Sequence, residues 1–209
     1  TGHHYYYIGV NKIWLIVGGI FSALEPLAFL AMALFAVYMY RKGEKSHPNK
    51  IALFWTIGAS IVSFVGAGLL GFAHTLPQTN IYTHGTLVTA MHGHYAFWGA
   101  YAMIVLAIIS YAMPNMTGRK LYDSTRGHMA FWLSNVGMLG MTVAFGVAGV
   151  AQVYLERKMK MDFMDVQNEI SIHFVVLLLC ASLFATGITL YILEFIKYGK
   201  PTDEALIKE

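Results

Sequence analysis

The sequence predicts an all-α integral membrane protein with five transmembrane helices. Hydrophobic residues make up 57% of the 209 residues and charged residues only 12%, whereas a soluble domain typically carries about 25% charged residues. Aromatic residues account for 14%, as is typical of membrane helices whose ends carry amphipathic rings at the lipid headgroups. Five long apolar runs supply the third observation. Together these features indicate a helical protein embedded in membrane lipid.

Each apolar run exceeds the roughly 20 residues that a helix needs to cross the hydrocarbon core. Short polar connectors separate the runs, and no internal repeat, low-complexity tract or soluble domain interrupts them. We therefore predict a single transmembrane domain over residues 1–209. Its predicted spans are Ile13–Tyr40, Ile51–Ala73, Tyr82–Met113, His128–Leu155 and Ile170–Ile196.

The basic residues predict the orientation of the helices. Ten Lys and Arg residues lie in the two loops and the C-terminal tail on one side, against four on the other side. The positive-inside rule then places the C-terminus on the cytoplasmic side of the membrane. Net charge is only +3 and the basic residues sit in short loops, so the pattern is not that of a nucleic-acid-binding protein.

The first residues are unusual for the start of a membrane protein. Thr1 is not an initiator methionine, and neither a charged segment nor a cleavage pattern of a signal peptide follows it. Either the N-terminus is processed or a stretch of a larger subunit precedes Thr1, and the histidines described below lead us to expect the second. The single cysteine, Cys180, lies in an apolar run, so the sequence offers neither a disulfide framework nor a thiolate metal site.

Two histidines lie inside the third predicted span, in a His-Gly-His motif formed by His92, Gly93 and His94. Ionisable groups inside a span are costly, and they are functional candidates for that reason. Residues two apart on a helix differ by about 200° in direction, so the two imidazoles should face opposite ways and bind different groups. Gly93 would allow a large planar ligand to approach the backbone.

A second pair, His3 and His4, lies at the predicted outer side of the membrane. At a helix end or in a loop, both imidazoles can reach one metal ion, although imidazole suits zinc, copper and iron alike. The pair alone is a weak signal, because a terminal His-His pair is often only polar surface. The predicted topology strengthens it, since the same outer half of the bilayer contains His92.

Glu25 is the acid in the middle of the first span, and Pro26 beside it should kink the helix. No lysine or arginine lies within the other four spans. An acid at this depth is a candidate proton relay. His84 is predicted to open the third helix, on the side of His92, where a propionate group of a ligand or a water molecule would be an equally suitable partner.

The remaining histidines have no assigned task. His74 and His128 stand at span ends and His47 in a loop, so we expect all three at the membrane surface. His173 lies near the outer start of the last helix. A separate group of small residues in the second span predicts close helix packing: Gly66, Gly68 and Gly71.

Four segments, taken in order, resemble the C-terminal half of the catalytic subunit of bacterial nitric oxide reductases, a family of the haem-copper oxidase superfamily. Their spacing matches as well as their residues, and together they cover essentially the whole chain. The segments are Gly2-His3-His4-Tyr5-Tyr6-Tyr7-Ile8-Gly9, Phe21-Ser22-Ala23-Leu24-Glu25-Pro26, Thr83-His84-Gly85-Thr86 and Met91-His92-Gly93-His94.

The resemblance implies a role for each candidate residue. His92 would ligate the iron of the high-spin haem b3, and His94 the iron of the low-spin haem b. His3 and His4 would be two of the three histidines on a non-haem iron. Glu25 would serve that iron with protons, and His84 would contact a haem propionate.

The implied reaction is 2 NO + 2 e⁻ + 2 H⁺ → N₂O + H₂O, in which the N–N bond forms between the two irons. Cations on both sides and a nearby proton donor suit the negative charge that develops on the nitrogen oxide. The resemblance also implies a third iron-binding histidine, a second low-spin haem ligand and another acid, all upstream of Thr1. A cytochrome c-type subunit or a quinol would supply electrons, and the sequence leaves that choice open.

Several other interpretations remain open at the level of sequence. An oxygen reductase of the same superfamily would hold copper in place of the non-haem iron, and Glu25 beside the His3-His4 pair argues against it. A nitric-oxide-dismutating enzyme is opposed by the same residues. A non-catalytic di-haem electron-transfer subunit would use only His92 and His94. A transporter without haem would be colourless when purified.

Overall fold

The computed structural model describes residues 2–43, 48–118 and 124–197. Five helices in these ranges are long and apolar enough to cross a membrane, which confirms the predicted fold class. They are Lys12–Lys42, Lys50–Thr75, Leu87–Thr117, Thr125–Lys158 and Ser171–Ile196. Several residues used for the topology or surface predictions lie outside the described residues: Lys45, His47, Arg119, Lys120, Lys200 and Lys208.

The membrane helices are assembled from shorter helical segments. A 3₁₀ turn, Gly2–Tyr5, precedes them. The α-helices are α1 (Lys12–Ala23), α2 (Glu25–Lys42), α3 (Lys50–Ser63), α4 (Gly71–Thr75), α5 (Pro77–Thr83), α6 (Leu87–Phe97), α7 (Met103–Thr117), α8 (Thr125–Val153), α9 (Phe163–Glu169) and α10 (Ser171–Lys197). Three π-helical segments continue the spans: Phe64–Leu70, Trp98–Ala102 and Tyr154–Lys158.

The first span is interrupted at Leu24, between α1 and α2. Pro26 stands in the first turn of α2, where its missing N–H would be unpaired in any case and its fixed φ suits a helix start. In place of one kinked helix, the structure therefore has two helices, α1 and α2, that meet at Leu24. This break places Glu25 at the N-terminus of α2.

The third span begins later than the sequence predicted, at Leu87 rather than Tyr82. Gly85 adopts a left-handed conformation, with φ of 71°, which ends the preceding turn. The side chain of Thr86 then accepts a hydrogen bond from the backbone N–H of Val88 and caps α6. As a result His84 terminates α5 and does not open the third span.

The helices pack around aromatic and small residues. Trp55 is fully buried and meets the rings of Trp98, Phe131 and Tyr191 edge to face. A Cβ added to Gly137 would overlap the backbone of α10, and small residues at such contacts let membrane helices approach closely. The core therefore joins α3, the π-helical segment Trp98–Ala102, α8 and α10, and Met103 of α7 belongs to the same core.

At the end of the bundle opposite the N-terminal histidines, a buried acid joins α8 to α10. The hydroxyl of Ser124, which caps α8, donates a hydrogen bond to Glu194. The Arg126 guanidinium lies 3.8 Å from the other carboxylate oxygen. A buried carboxylate requires such partners, and these partners fix the N-terminus of α8 against α10.

Candidate functional site

The two histidines of the His-Gly-His motif point to different neighbours. Nδ1 of His92 lies 2.9 Å from the carbonyl oxygen of Gly66, on the second span. Nδ1 of His94 lies 2.8 Å from the carbonyl oxygen of Ala90, and its ring packs on Phe145 of α8 at 4.9 Å. In each case a carbonyl acceptor orients the Nδ1–H, which leaves Nε2 as the nitrogen able to ligate a metal.

The short distance between His92 and the second span depends on Gly66. A Cβ at Gly66 would lie 2.7 Å from the backbone nitrogen of Ala96 and 2.7 Å from the carbonyl carbon of Tyr95. Only glycine fits this close approach. Gly66 also lies in the π-helical segment Phe64–Leu70, and such wider turns recur at functional sites because they shift the backbone out of the regular α-helical pattern.

The predicted packing role of the three glycines holds to different degrees. A Cβ added at Gly68 would make only ordinary van der Waals contacts, for example with Pro26 at 3.5 Å. Gly71 faces His92 instead of a helix backbone, since a Cβ there would lie 3.3 Å from Cε1 of that imidazole. The second span therefore has small residues where the His92 ring lies against it.

His3 and His4 form a compact pair in the N-terminal 3₁₀ turn, with ring centroids 4.3 Å apart. The ring centroid of His3 also lies 6.3 Å from that of His92. His3 is 6% exposed, and neither of its buried ring nitrogens has a hydrogen-bond partner among the described residues. Buried polar atoms are normally paired, so an unpartnered ring nitrogen of His3 fits a site that holds a metal ion.

Burial changes the protonation of this pair. It lowers the pKa of His3 to about 3, and the neighbouring His4 adds to the shift. Burial also lowers the pKa of His4, whereas the nearby Glu25 carboxylate acts in the opposite direction. His3 is therefore neutral at physiological pH, which is the form of imidazole that binds metals.

Two contacts hold the His3-His4 turn against the bundle, and the sequence analysis did not single out either. The backbone N–H of His3 donates a hydrogen bond to the hydroxyl of Ser22, with a donor–acceptor distance of 3.3 Å. Ser22 lies on α1 and is only 2% exposed. The hydroxyl of Tyr6 donates to the carbonyl oxygen of Thr75 at 2.6 Å. The turn is thereby fixed to the first and the second membrane helices at once.

His74 is also part of this group of side chains, and its predicted surface position is wrong. The second span continues through α4 to Thr75, so His74 lies inside a helix and is 4% exposed. Its ring stacks on that of His92, with centroids 4.9 Å apart and planes 24° apart. The hydropathy pattern predicted the end of this span at Ala73, because His74 and Thr75 are polar, whereas the helix continues to Thr75.

Glu25 lies close enough to the histidines to act on them electrostatically. Its carboxylate favours the charged form of His4, and it is half-buried at the start of α2. Glu25 has further interactions in the structure, so it is not an isolated acid. The sequence offered it no lysine or arginine within the predicted spans, and the structure places it near His4.

His84 lies apart from this group, in the turn between α5 and α6. It is exposed, and its ring stacks on Tyr7 at a centroid distance of 3.9 Å. Its carbonyl oxygen accepts a hydrogen bond from Arg157 at 3.4 Å. His84 and Arg157 therefore lie together just before the N-terminus of α6, the helix that bears His92.

Within the described ranges, no three His, Cys, Asp or Glu side chains are arranged to hold a metal ion. His3 and His4 therefore provide an incomplete ligand set. The donor set nevertheless suits iron, since neutral imidazoles bind it well and a carboxylate lies nearby. His92 and His94, each with an oriented Nδ1–H, suit the axial positions of two haems.

Comparisons with known proteins identify the family of this chain. The chain is 43% identical over 96% of its length to a nitric oxide reductase subunit of Stutzerimonas stutzeri, of which it covers 44%. It is 33% identical over 41% of its length to cytochrome c oxidase subunit 1 of Corynebacterium diphtheriae, of which it covers 15%. The chain thus spans less than half the length of these curated relatives. Because residues 1–189 match the family described as cytochrome c and quinol oxidase polypeptide I, the chain belongs to that family.

Proposed function

We propose that this chain is part of a nitric oxide reductase, which converts two NO to N₂O and water with two electrons and two protons. The observation that carries this proposal is the position of the His3-His4 pair, whose nearer ring lies 6.3 Å from that of His92. Similarity to a nitric oxide reductase over 96% of the chain supports the same assignment.

In this proposal His92 holds the iron of the high-spin haem b3 and His94 that of the low-spin haem b. Their opposed surroundings support two separate haems, since Gly66 and His74 flank one ring and Phe145 flanks the other. His84 would contact a haem propionate from its exposed turn. When bound, the haems and the non-haem iron supply electron transfer and bind NO.

His3 and His4 would hold the non-haem iron, and their low affinity for protons favours this role. The remaining ligands would come from an upstream part of the same subunit, together with the second ligand of the low-spin haem. Tyr6 and Ser22 would keep the turn in place. Glu25, near His4, would hold and deliver protons at the carboxylate oxygens.

The setting of the proposed reaction is the bacterial inner membrane. Five membrane helices support multi-pass insertion, and the distribution of basic residues favours a cytoplasmic C-terminus. The helices would be surrounded by lipid. Electrons would come from a cytochrome c-type subunit or from a quinol.

An oxygen reductase with copper at His3 and His4 is the second candidate, and the family includes oxidases. The similarity to a cytochrome c oxidase subunit covers only 41% of the chain, however, and the reductase similarity covers 96%. A non-catalytic di-haem subunit is less consistent with the structure. It would give no purpose to the buried ring nitrogens of His3, which have no hydrogen-bond partner in the described part of the chain.

The proposal is tested with the purified complete protein and an anaerobic NO electrode, with N₂O measured in the headspace. We expect one N₂O for every two NO consumed, with slower turnover of oxygen. Rapid oxygen reduction without N₂O formation would favour the oxidase. No turnover of either gas by a haem-loaded protein would favour the electron-transfer subunit.

A further inference from the structure

We infer that His74 is a positioning residue for His92, which fixes the plane of the His92 imidazole by stacking on one of its faces. The two ring centroids are 4.9 Å apart and the ring planes differ by 24°. This inference rests on the proposed role of His92 as a ligand of the high-spin haem. Nothing in the sequence motifs assigned a task to His74.

An imidazole on a helix needs external contacts to fix its plane, because the torsion about its Cβ–Cγ bond has broad minima. The hydrogen bond to the carbonyl oxygen of Gly66 fixes one edge of the His92 ring. Gly71 leaves space for this ring, since a Cβ added there would lie only 3.3 Å from Cε1. The stacked His74 ring then covers a face, and these contacts leave the ring little freedom to rotate.

His74 can perform this task because it is itself fixed. Its Nδ1 lies 2.8 Å from the carbonyl oxygen of Leu70, one turn earlier in the same span. Its own carbonyl oxygen accepts a hydrogen bond from the Asn80 side chain at 2.6 Å, which joins it to α5. The residue is also 4% exposed, so protein atoms surround the ring.

The other histidine of the motif has a corresponding neighbour. Phe145 packs on His94 with the same centroid distance of 4.9 Å and an interplanar angle of 31°. Phe145 has no ring nitrogen, so an aromatic plane is the feature that the two contacts share. We therefore assign the function of His74 to its flat ring, and not to its Nε2.

The test uses the complete, haem-loaded protein and the iron–histidine stretching band of its reduced high-spin haem, measured by resonance Raman spectroscopy. We expect His74→Ala to shift or broaden this band, and His74→Phe to leave it at the wild-type position. The matched control is Phe145→Ala, which should change only the low-spin haem spectrum. If His74→Ala loses the high-spin haem altogether, the wild-type band in His74→Phe still supports the inference.

An unchanged band in His74→Ala would overturn the inference, as would an equal shift in the Ala and Phe variants. Loss of the haem from both variants would also contradict it, because a planar ring should suffice. The His92→Ala variant separates this failure from that of the proposed function. If the band persists in His92→Ala, His92 is not the haem ligand and the proposed function is wrong at this point. If the band disappears in His92→Ala but is unchanged in His74→Ala, only the positioning role of His74 is wrong.

Discussion

Nδ1 of His92 lies 2.9 Å from the carbonyl oxygen of Gly66, and this contact joins the third membrane helix to the second at the proposed haem site. The contact sets the tautomer of the imidazole, since a carbonyl can only accept a hydrogen bond. Both residues lie where the two helices touch without an intervening side chain. The orientation of the proposed ligand thus depends on a backbone carbonyl of the second span and not on another side chain.

Gly66→Ala should weaken binding of the high-spin haem. The added Cβ would lie 2.7 Å from the backbone of Tyr95 and Ala96, and such overpacking typically costs about 1–3 kcal/mol of stability. The helices would separate and the hydrogen bond to His92 would lengthen. The measurement is the haem content and optical spectrum of the purified protein.

The matched control for this variant is Gly68→Ala, whose added Cβ makes its nearest contacts at 3.5 Å. We expect Gly68→Ala to retain wild-type haem content. Equal haem loss in the two variants would show that the second span tolerates no added methyl group, and would remove the special role of Gly66.

His92 and His94 should bind different haems. Replacement of His94 by Ala should remove the low-spin spectrum and leave the high-spin haem at least partly bound, because the two rings have separate surroundings. His92→Ala should produce the opposite pattern. If both substitutions abolish the same spectral component and spare the other, the assignment of two faces to two haems is incorrect.

Tyr6→Phe should loosen the turn that carries His3 and His4. It removes the hydrogen bond of 2.6 Å to the carbonyl oxygen of Thr75, a loss of about 1 kcal/mol for a typical intramolecular bond. We expect a lower unfolding temperature and easier removal of the non-haem iron by a chelator. Tyr5→Phe is the control, since Tyr5 is exposed, and identical iron retention in both variants would argue against the anchoring role.

Glu25→Gln should assemble with full haem and iron content but reduce NO at least ~10-fold more slowly, the lower part of the range for general acid–base groups. Glutamine keeps the shape and hydrogen bonding of the side chain but cannot exchange a proton at working pH. The measurement is the turnover rate across pH, with the exposed Glu169→Gln as control. A structural role would be indicated by two results together. Glu25→Gln would turn over NO at the wild-type rate at all pH values, and only Glu25→Ala would fail to assemble.

The sequence predicted the five membrane helices because long apolar runs admit few other structures, and the break near Pro26 followed from proline chemistry. Local backbone features were not predictable in the same way. The left-handed Gly85 and the Thr86 cap delayed the third span, and hydropathy does not detect either. The π-helical segments were likewise not predicted from the sequence.

The candidate site was only partly accessible from sequence. The opposed directions of His92 and His94 followed from helical geometry. The closeness of His3 to His92 did not, because it depends on a turn held by Ser22 and Tyr6. His74 was missed because a polar residue near a span end is normally interfacial, and only the continuation of the helix to Thr75 buries it.

The most direct test of the proposed iron site is the metal content of the complete purified protein and of its His3→Ala variant, measured with haem content on the same samples. We predict one more iron than haem in the wild type, no copper, and loss of that additional iron from His3→Ala with both haems retained. His4→Ala should behave in the same way. Copper present in a fixed ratio to haem, or an iron content that equals the haem content in the wild type, would contradict the proposal.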